Sequence, residues 1–363
     1  MAGIIKNYFA TANSAKGFYN LFDSNLAGLT TLYILKGGPG TGKSTLMKRM
    51  GAYFFEKGYD IDFLHCSSDN DSLDGVIIPA LGVGIVDGTA PHVIEPKAPG
   101  AIEEYVNLGM AWNAYKLKPY ANEILSINAA IKECYVQVYD IFAQALVIHD
   151  EWEKFYIENM DFDKAPLFRQ QILDTLLNYP ESGHEPVVRE RFFGGSTPVG
   201  SVDYVLNLTE PLKKRYFIKG RPGTGKSTLL RKIAQKSAAL GYDTEIYHCS
   251  FDPESLDMVL IPELSICFFD STAPHEYFPT HASDEVIDMY AELIKPGTDE
   301  LYAEELADVA RRYKAKVATG TAYLAKAKAL HDKLETYYIA AMNYDMVECI
   351  YNDLQDRIEA LED

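Results

Sequence analysis

The sequence predicts an α/β protein made of two tandem copies of one core. Each core is expected to be a parallel sheet flanked by helices, with a long helical hairpin appended. Three observations lead there. The chain of 363 residues matches itself when shifted by 183 positions, so that Lys36 falls on Lys219. In each copy, apolar strand-like runs alternate with helix-like segments, the pattern of a buried parallel sheet. A glycine-rich loop stands between the same strand and the same helix in both copies.

The repeat sets the frame for everything else. KGGPGTGKSTL (36–46) falls on KGRPGTGKSTL (219–229), and GYD (58–60) on GYD (241–243). HCSSDNDSLDGVIIP (65–79) meets HCSFDPESLDMVLIP (248–262), and DGTAPH (87–92) meets DSTAPH (270–275). Over 31–92, 30 of 62 positions are identical without a gap, which identifies a duplication. HDEWEKFYIENMDFD (149–163) matches HDKLETYYIAAMNYD (331–345) at a shift of 182, so the repeat runs through nearly the whole chain. Domains are expected at 1–182 and 183–363, divided within the turn-rich NYPESGHEP (178–186).

The elements of each copy follow in order. A short strand (8–10; 191–193) leads to a Gly-containing loop. An apolar strand comes next, TLYIL or RYFI, then the glycine loop. The helix after it (44–57; 227–240) closes at Gly58 or Gly241, the residue type suited to a left-handed cap. A second strand, IDFLHC or TEIYHC, ends in a polar turn. SLDGVIIP and SLDMVLIP are expected to open short helices that stop at Pro79 and Pro262. A third strand, GVGIVD or SICFFD, ends in aspartate. Residues 101–178 and 284–361 are rich in helix formers, with turn signals at Lys118-Pro119 and Lys295-Pro296-Gly297. Each stretch is read as a helical hairpin or small bundle that covers the sheet, joins the halves or binds a protein partner.

Composition narrows the function. The hydrophobic fraction of 47% and charged fraction of 24% are ordinary for a globular chain. No apolar run approaches the roughly 18–20 residues of a membrane-spanning helix. The segment MAGIIKNYFATANSAKG lacks the features of a secretory signal. Cys66, Cys134, Cys249, Cys267 and Cys349 form no CxxC pair, so reduced thiols in a cytoplasmic protein are expected. A net charge of −18 argues against a nucleic-acid partner.

The glycine loops carry the chemistry. Gly37, Gly38, Pro39, Gly40, Thr41, Gly42, Lys43 and Ser44 fit G-x-x-x-x-G-K-[ST], with Thr45 following. Gly220, Arg221, Pro222, Gly223, Thr224, Gly225, Lys226 and Ser227 fit it again, with Thr228 following. This is the pattern of a P-loop, a phosphate cradle. Glycines let several backbone N–H groups turn inward at one anion, and the next helix aims its positive end at it. Lys43 or Lys226 would neutralise the β- and γ-phosphates, and Ser44 or Ser227 would ligate Mg²⁺.

Asp87 and Asp270 end apolar strands downstream of these loops, the position of a magnesium-holding aspartate. The following Thr89-Ala90-Pro91-His92 and Thr272-Ala273-Pro274-His275 put His92 and His275 within reach of a γ-phosphate. After the second strand come His65, Cys66, Ser67 and Asp69, with mates His248, Cys249, Ser250 and Asp252. Strand ends of this kind are where α/β proteins place sites, so Asp69 and Asp252 are candidates to position water or substrate. Asp74 and Asp257 are weaker ones, since Asp here also suits a helix start. A metal bridging the two His-Cys pairs is conceivable from ligand type alone.

The whole chain resembles a family of bacterial tandem P-loop ATPases through KGGPGTGKST, DSLDGVIIP and DGTAPHVIEPKAPG in the first half, with KGRPGTGKST and DSTAPH in the second. The resemblance implies two P-loop NTPase cores that bind ATP. VDGTAP is also similar to a segment of arsenite-pump and tail-anchored-protein-targeting ATPases. The signature lysine of that class is Gly38 in one half and Arg221 in the other. The wording PGTGKST is closer to RecA-like and AAA+ loops, yet neither Asp87 nor Asp270 is followed by their catalytic Glu.

The leading expectation is a Mg²⁺-dependent ATPase whose halves face each other as a pseudo-dimer, with ATP and Mg²⁺ as ligands. Only Arg49 precedes Arg169, so an arginine finger for the first site would come from the second half, with Arg189, Arg191 and Arg221 as candidates. The alternatives are a small-molecule or nucleotide kinase, and a nucleotide-gated binding module that hydrolyses little. No guanine-reading N/T-K-x-D motif stands out, which favours ATP over GTP.

Overall fold

The computed structural model describes residues 3–362. The first half runs β1 (Ile5–Phe9), a hairpin of β2 (Thr11–Ser14) and β3 (Gly17–Asn20), α1 (Phe22–Leu26), β4 (Thr31–Lys36), α2 (Lys43–Glu56), β5 (Ile61–Cys66), β6 (Asp69–Ile78), β7 (Val83–Asp87) and β8 (Glu103–Asn107). It continues with α3 (Ala114–Leu117), α4 (Ala121–Ile157) and α5 (Lys164–Leu176). The second half repeats this as β9 (Val188–Arg191), β10 (Gly194–Thr197), β11 (Gly200–Asp203), α6 (Val205–Thr209), β12 (Lys214–Lys219), α7 (Lys226–Ala239), β13 (Thr244–His248), β14 (Leu256–Ile261), β15 (Ile266–Asp270) and β16 (Glu285–Asp288). It ends with α8 (Met289–Leu293), α9 (Thr298–Leu301), α10 (Ala303–Ile339) and α11 (Tyr344–Glu359).

Each half builds a six-stranded sheet, in the order β1-β5-β6-β7-β4-β8 and β9-β13-β14-β15-β12-β16. The sheets are mixed rather than parallel: β6 lies antiparallel to β5 and β7, and β14 to β13 and β15. The short helices expected at SLDGVIIP and SLDMVLIP are these strands. The run Val76-Ile77-Ile78 is β-branched and buried on both faces, which suits a strand, and Pro79 ends it. The connections on either side of β6 are too short for a parallel crossover, so the strand must reverse.

The two sheets pack face to face. Leu32, Ile34, Leu64, Ile77 and Val86 of the first meet Phe217, Met258, Leu260 and Phe269 of the second in one core. At the pseudo-twofold, Phe9 and Phe192 exchange both backbone hydrogen bonds, at 2.8 and 3.0 Å. These residues are repeat mates, so the axis passes between them. Buried nearby, Arg191 lies 3.3 Å from Glu245 and 3.6 Å from Asp62, joining the halves through charge. Burial works against the Glu245 carboxylate, but Arg191, Lys6 and the Tyr247 hydroxyl hold its pKa down at about 2.

The outer face of each sheet is covered by its own helix and by one from the other half. Met47, Met50 and Phe54 of α2 pack with Val347, Tyr351, Leu354 and Ile358 of α11. Leu229, Leu230 and Ile233 of α7 pack with Ala165, Ile172 and Leu173 of α5. The terminal helices are thus exchanged.

The long helices differ from the expected hairpins as well. Helices α4 and α10, of 37 residues each, pair with one another across the molecule. Tyr120 meets Tyr337, and Phe155 meets Tyr302, so the pair is antiparallel. The reason is the absence of proline from both: α4 contains neither Gly nor Pro, and α10 has only Gly320, packed against Phe142 of α4. A straight helix of that length spans about 55 Å and carries the chain to the other half instead of folding back. Pro119 and Pro296 mark where the long segments begin, not where they turn. Among the described residues, no helix is long and apolar enough to cross a membrane.

Candidate functional site

In both halves the glycine loop links a central strand, β4 or β12, to a helix, α2 or α7. Gly42 and Gly225 precede the helices at φ of 91° and 86°, where a side chain would be strained. Thr41 Oγ1 donates to Gly38 O at 2.8 Å and Thr224 Oγ1 to Arg221 O at 2.8 Å, closing each loop on itself.

The loop lysines lie inside this turn. Lys43 Nζ donates to the carbonyls of Gly37 and Gly38 at 3.0 Å and sits 3.5 Å from Asp87 Oδ2. Lys226 Nζ donates to Arg221 O at 2.9 Å and sits 3.5 Å from Asp270 Oδ2. Register explains the pairing. β7 lies directly beside β4 with Asp87 opposite Leu35, and β15 lies beside β12 with Asp270 opposite Ile218. Each strand therefore ends next to the loop that the other feeds. The second oxygen of each aspartate is held by Thr89 or Thr272, whose hydroxyls donate at 2.6 Å. Ser44 Oγ accepts from Leu73 N–H at 3.0 Å and Ser227 Oγ from Leu256 N–H at 2.9 Å, which ties each loop to β6 or β14.

Asp74 and Asp257 belong to this constellation more closely than Asp69 and Asp252. Asp74 is buried, accepts from Thr11 Oγ1 at 3.2 Å, and lies 3.4 Å from His92 Nε2. Burial pushes its pKa up, Asp87 adds to this, and His92 opposes it. Burial followed by the nearby Asp270 raises Asp257 to about 6. The signal available in the sequence was an aspartate retained beside a β-branched apolar run, which places it within a strand rather than at a helix start. Asp69 instead accepts from Ser72 Oγ at 2.8 Å within its own turn and lies 3.6 Å from Lys328 of the other half. Asp252 accepts from Ser255 Oγ at 3.0 Å and lies 3.9 Å from Lys16.

The two histidines are not equivalent. His275 Nδ1 is 2.7 Å from Asp203 Oδ2, and Tyr277 donates to the other oxygen at 2.6 Å. Burial disfavours the His275 cation, yet Asp203, Asp257 and Asp270 together raise its pKa. The mate of Asp203 is Asn20, so His92 has no such partner; it sits between the Phe18 and Phe22 rings.

The His-Cys pairs do not converge on a metal. His65 Nε2 bonds to Asn7 Oδ1 at 2.8 Å, and His248 Nδ1 to Pro253 O at 2.7 Å. Burial pushes the thiols of Cys66 and Cys249 well up, keeping them protonated. Adjacent strand residues point to opposite faces, which separates each His from its Cys.

The arginines expected at the first loop are engaged elsewhere. Arg189 donates to the carbonyls of Ser24 and Ala27, Arg191 is buried between the sheets, and Arg221 pairs with Asp299 at 2.7 Å in its own half. What reaches each loop from the other half is the end of a long helix. Glu335 Oε1 accepts from Gly40 N–H at 3.1 Å, and Tyr344 donates to Gly40 O at 3.3 Å. A Cβ on Gly38 would lie 2.7 Å from the Tyr338 ring, and one on Gly223 would lie 2.9 Å from Glu153 O. Glycine at these positions admits the helix ends.

Comparison of the chain with protein-family models, with curated proteins and with solved structures found no match to any of the three.

Proposed function

We propose that this protein is an ATP-binding P-loop ATPase with two nucleotide sites in one chain, each requiring magnesium. The observation that carries the reading is the repeated constellation of glycine loop, lysine and strand-end aspartate. Lys43 and Asp87 stand 3.5 Å apart in one half, and Lys226 and Asp270 stand 3.5 Å apart in the other. A nucleotide entering the loop would draw the lysine to its phosphates and free the aspartate for the cation.

The donors offered to the cation are the hydroxyl of Ser44 and the carboxylate of Asp87, with Ser227 and Asp270 in the second half. This all-oxygen set suits Mg²⁺. Bound there, magnesium would supply neutralisation of charge on the phosphate oxygens. Lys43 or Lys226 and the loop N–H groups hold the phosphates in line. In hydrolysis, water attacks the γ-phosphorus, the bond to the β-phosphate oxygen breaks, and the water proton goes to a base. Asp74 and Asp257 supply buried carboxylates for that proton, with His92 and His275 beside them to take it onward.

The helix ends on the loops favour a second reading, a nucleotide-gated switch with little turnover, because any change at a loop would bear on the other half. Equilibrium stoichiometry and turnover with Mg-ATP test both. Wild type should bind two nucleotides. Lys43→Ala and Lys226→Ala should each lose one, together with most turnover if the sites are coupled. Two nucleotides bound without hydrolysis would favour the switch. Retention of both nucleotides by both variants would refute the nucleotide reading.

A further inference from the structure

The carboxylate of Glu335 sits where the first loop would receive a phosphate. Gly40 lies in the loop at φ 65°, and its N–H is among those that a phosphate in this cradle needs. That N–H donates to Glu335 Oε1 at 3.1 Å. The contact comes from α10, 295 positions away in sequence, and belongs to the other half. The helix end is firmly seated there. Asn343 N–H donates to Ala111 O at 2.7 Å, and Asn113 N–H donates to Ala341 O at 2.8 Å. Tyr344 closes on the carbonyl of Gly40.

The second loop has no such plug. The repeat mate of Glu335 is Glu153, whose Cβ lies close to Gly223 just as the Glu335 Cβ lies close to Gly40. The Glu153 carboxylate lies 3.8 Å from His149, as that of Glu335 lies 3.8 Å from His331, but among the described residues it accepts no bond from the second loop. The backbones are equivalent, and among the described residues only the carboxylate at the first loop takes a loop N–H.

We propose that Glu335 gates the first nucleotide site by occupying the phosphate-binding N–H of Gly40, so that the second site fills first. The inference rests on the nucleotide reading given above. One N–H cannot serve a carboxylate and a phosphate together, and two anions at that separation repel. Binding at the first site therefore requires the Glu335 carboxylate to release the Gly40 N–H, whereas at the second site no loop N–H has to be released by Glu153.

Titration of the full chain with Mg-ATP by calorimetry tests this. In a Lys226→Ala background only the first site remains. Adding Glu335→Ala there should tighten Mg-ATP binding roughly tenfold or more, the scale of one charge-assisted hydrogen bond. Glu335→Gln, which keeps the shape and removes the charge, should move the same way by less. In a Lys43→Ala background, Glu153→Ala should change second-site affinity less than about twofold, because no bond is lost. Thermal melts establish that each variant is folded. If the Lys226→Ala chain binds nothing until Glu335 is replaced, the gate is supported in its strongest form. Lysine-dependent binding that is indifferent to both Glu335 variants, or weakened by them, overturns the gate and leaves the nucleotide reading standing. If wild type and every variant fail to bind Mg-ATP, both fall together.

Discussion

His65 is an imidazole whose two nitrogens are treated unequally. Nε2 reaches Asn7 Oδ1 at 2.8 Å, while Nδ1 is buried without a partner. Protonation would leave a buried N–H unsatisfied. Burial, with Lys48 adding to it, lowers the pKa from 6.5 to about 4. The unfolded chain therefore takes up a proton at His65 before the folded chain does. Stability from this residue is complete above pH 6.5 and is lost as the pH falls toward 4. The loss amounts to about 3 kcal/mol at most. Denaturant melts from pH 7 to 4 should be flatter for His65→Gln than for wild type; equal slopes would contradict this account. The HCS repeat in the sequence marked His65 as special but not why. Its environment is made by Asn7 and by Tyr204 of the other half, whose ring centroid is 4.3 Å away. Neither is near it in sequence.

At the scale of elements, α11 is the outer cover of the first sheet. Leu354 is 1% exposed in the core that contains Met47, Met50 and Phe54. Replacing such a residue by alanine costs about 2–5 kcal/mol. Leu354→Ala should therefore speed amide exchange in β4, β7 and α2, although it lies in the second half of the chain. Faster exchange confined to β12, β15 and α7 would mean that α11 covers the other sheet. The direction of β6 is decided at this scale too. Its apolar run alone fits a strand or a buried helix turn equally well. The short links to β5 and β7, and the strands waiting on both sides, select the strand.

At the scale of the molecule, neither chain half owns a complete core. The piece 1–182 lacks α11 and would expose the α2 groove, and the piece 183–363 lacks α5. The two pieces produced together should form one 1:1 complex, because the sheet-to-sheet core and both exchanged helices hold them. Produced alone, 1–182 should aggregate or pair with itself, its own α5 taking the vacant place. Light scattering on purified pieces decides it; a stable, cooperatively melting monomer of 1–182 would contradict the exchange. The same architecture links the candidate sites, since α4 and α10 each end on a loop of the other half.

By itself the sequence determined the duplication, the strand–loop–helix order around each glycine loop and the aspartates at the strand ends. These are short-range features, written in residues that stand next to one another or recur at a constant shift. Only the tertiary structure decided the reversal of β6, the pairing of α4 with α10, the exchange of α5 and α11, and the seat of Glu335 on Gly40. The physical reason is that α5 and α11 are repeat mates able to fit either sheet, so apolar patterning cannot tell them apart. What selects between the two surfaces is the reach of an unbroken helix of about 55 Å, which delivers each terminal helix to the half that did not encode it.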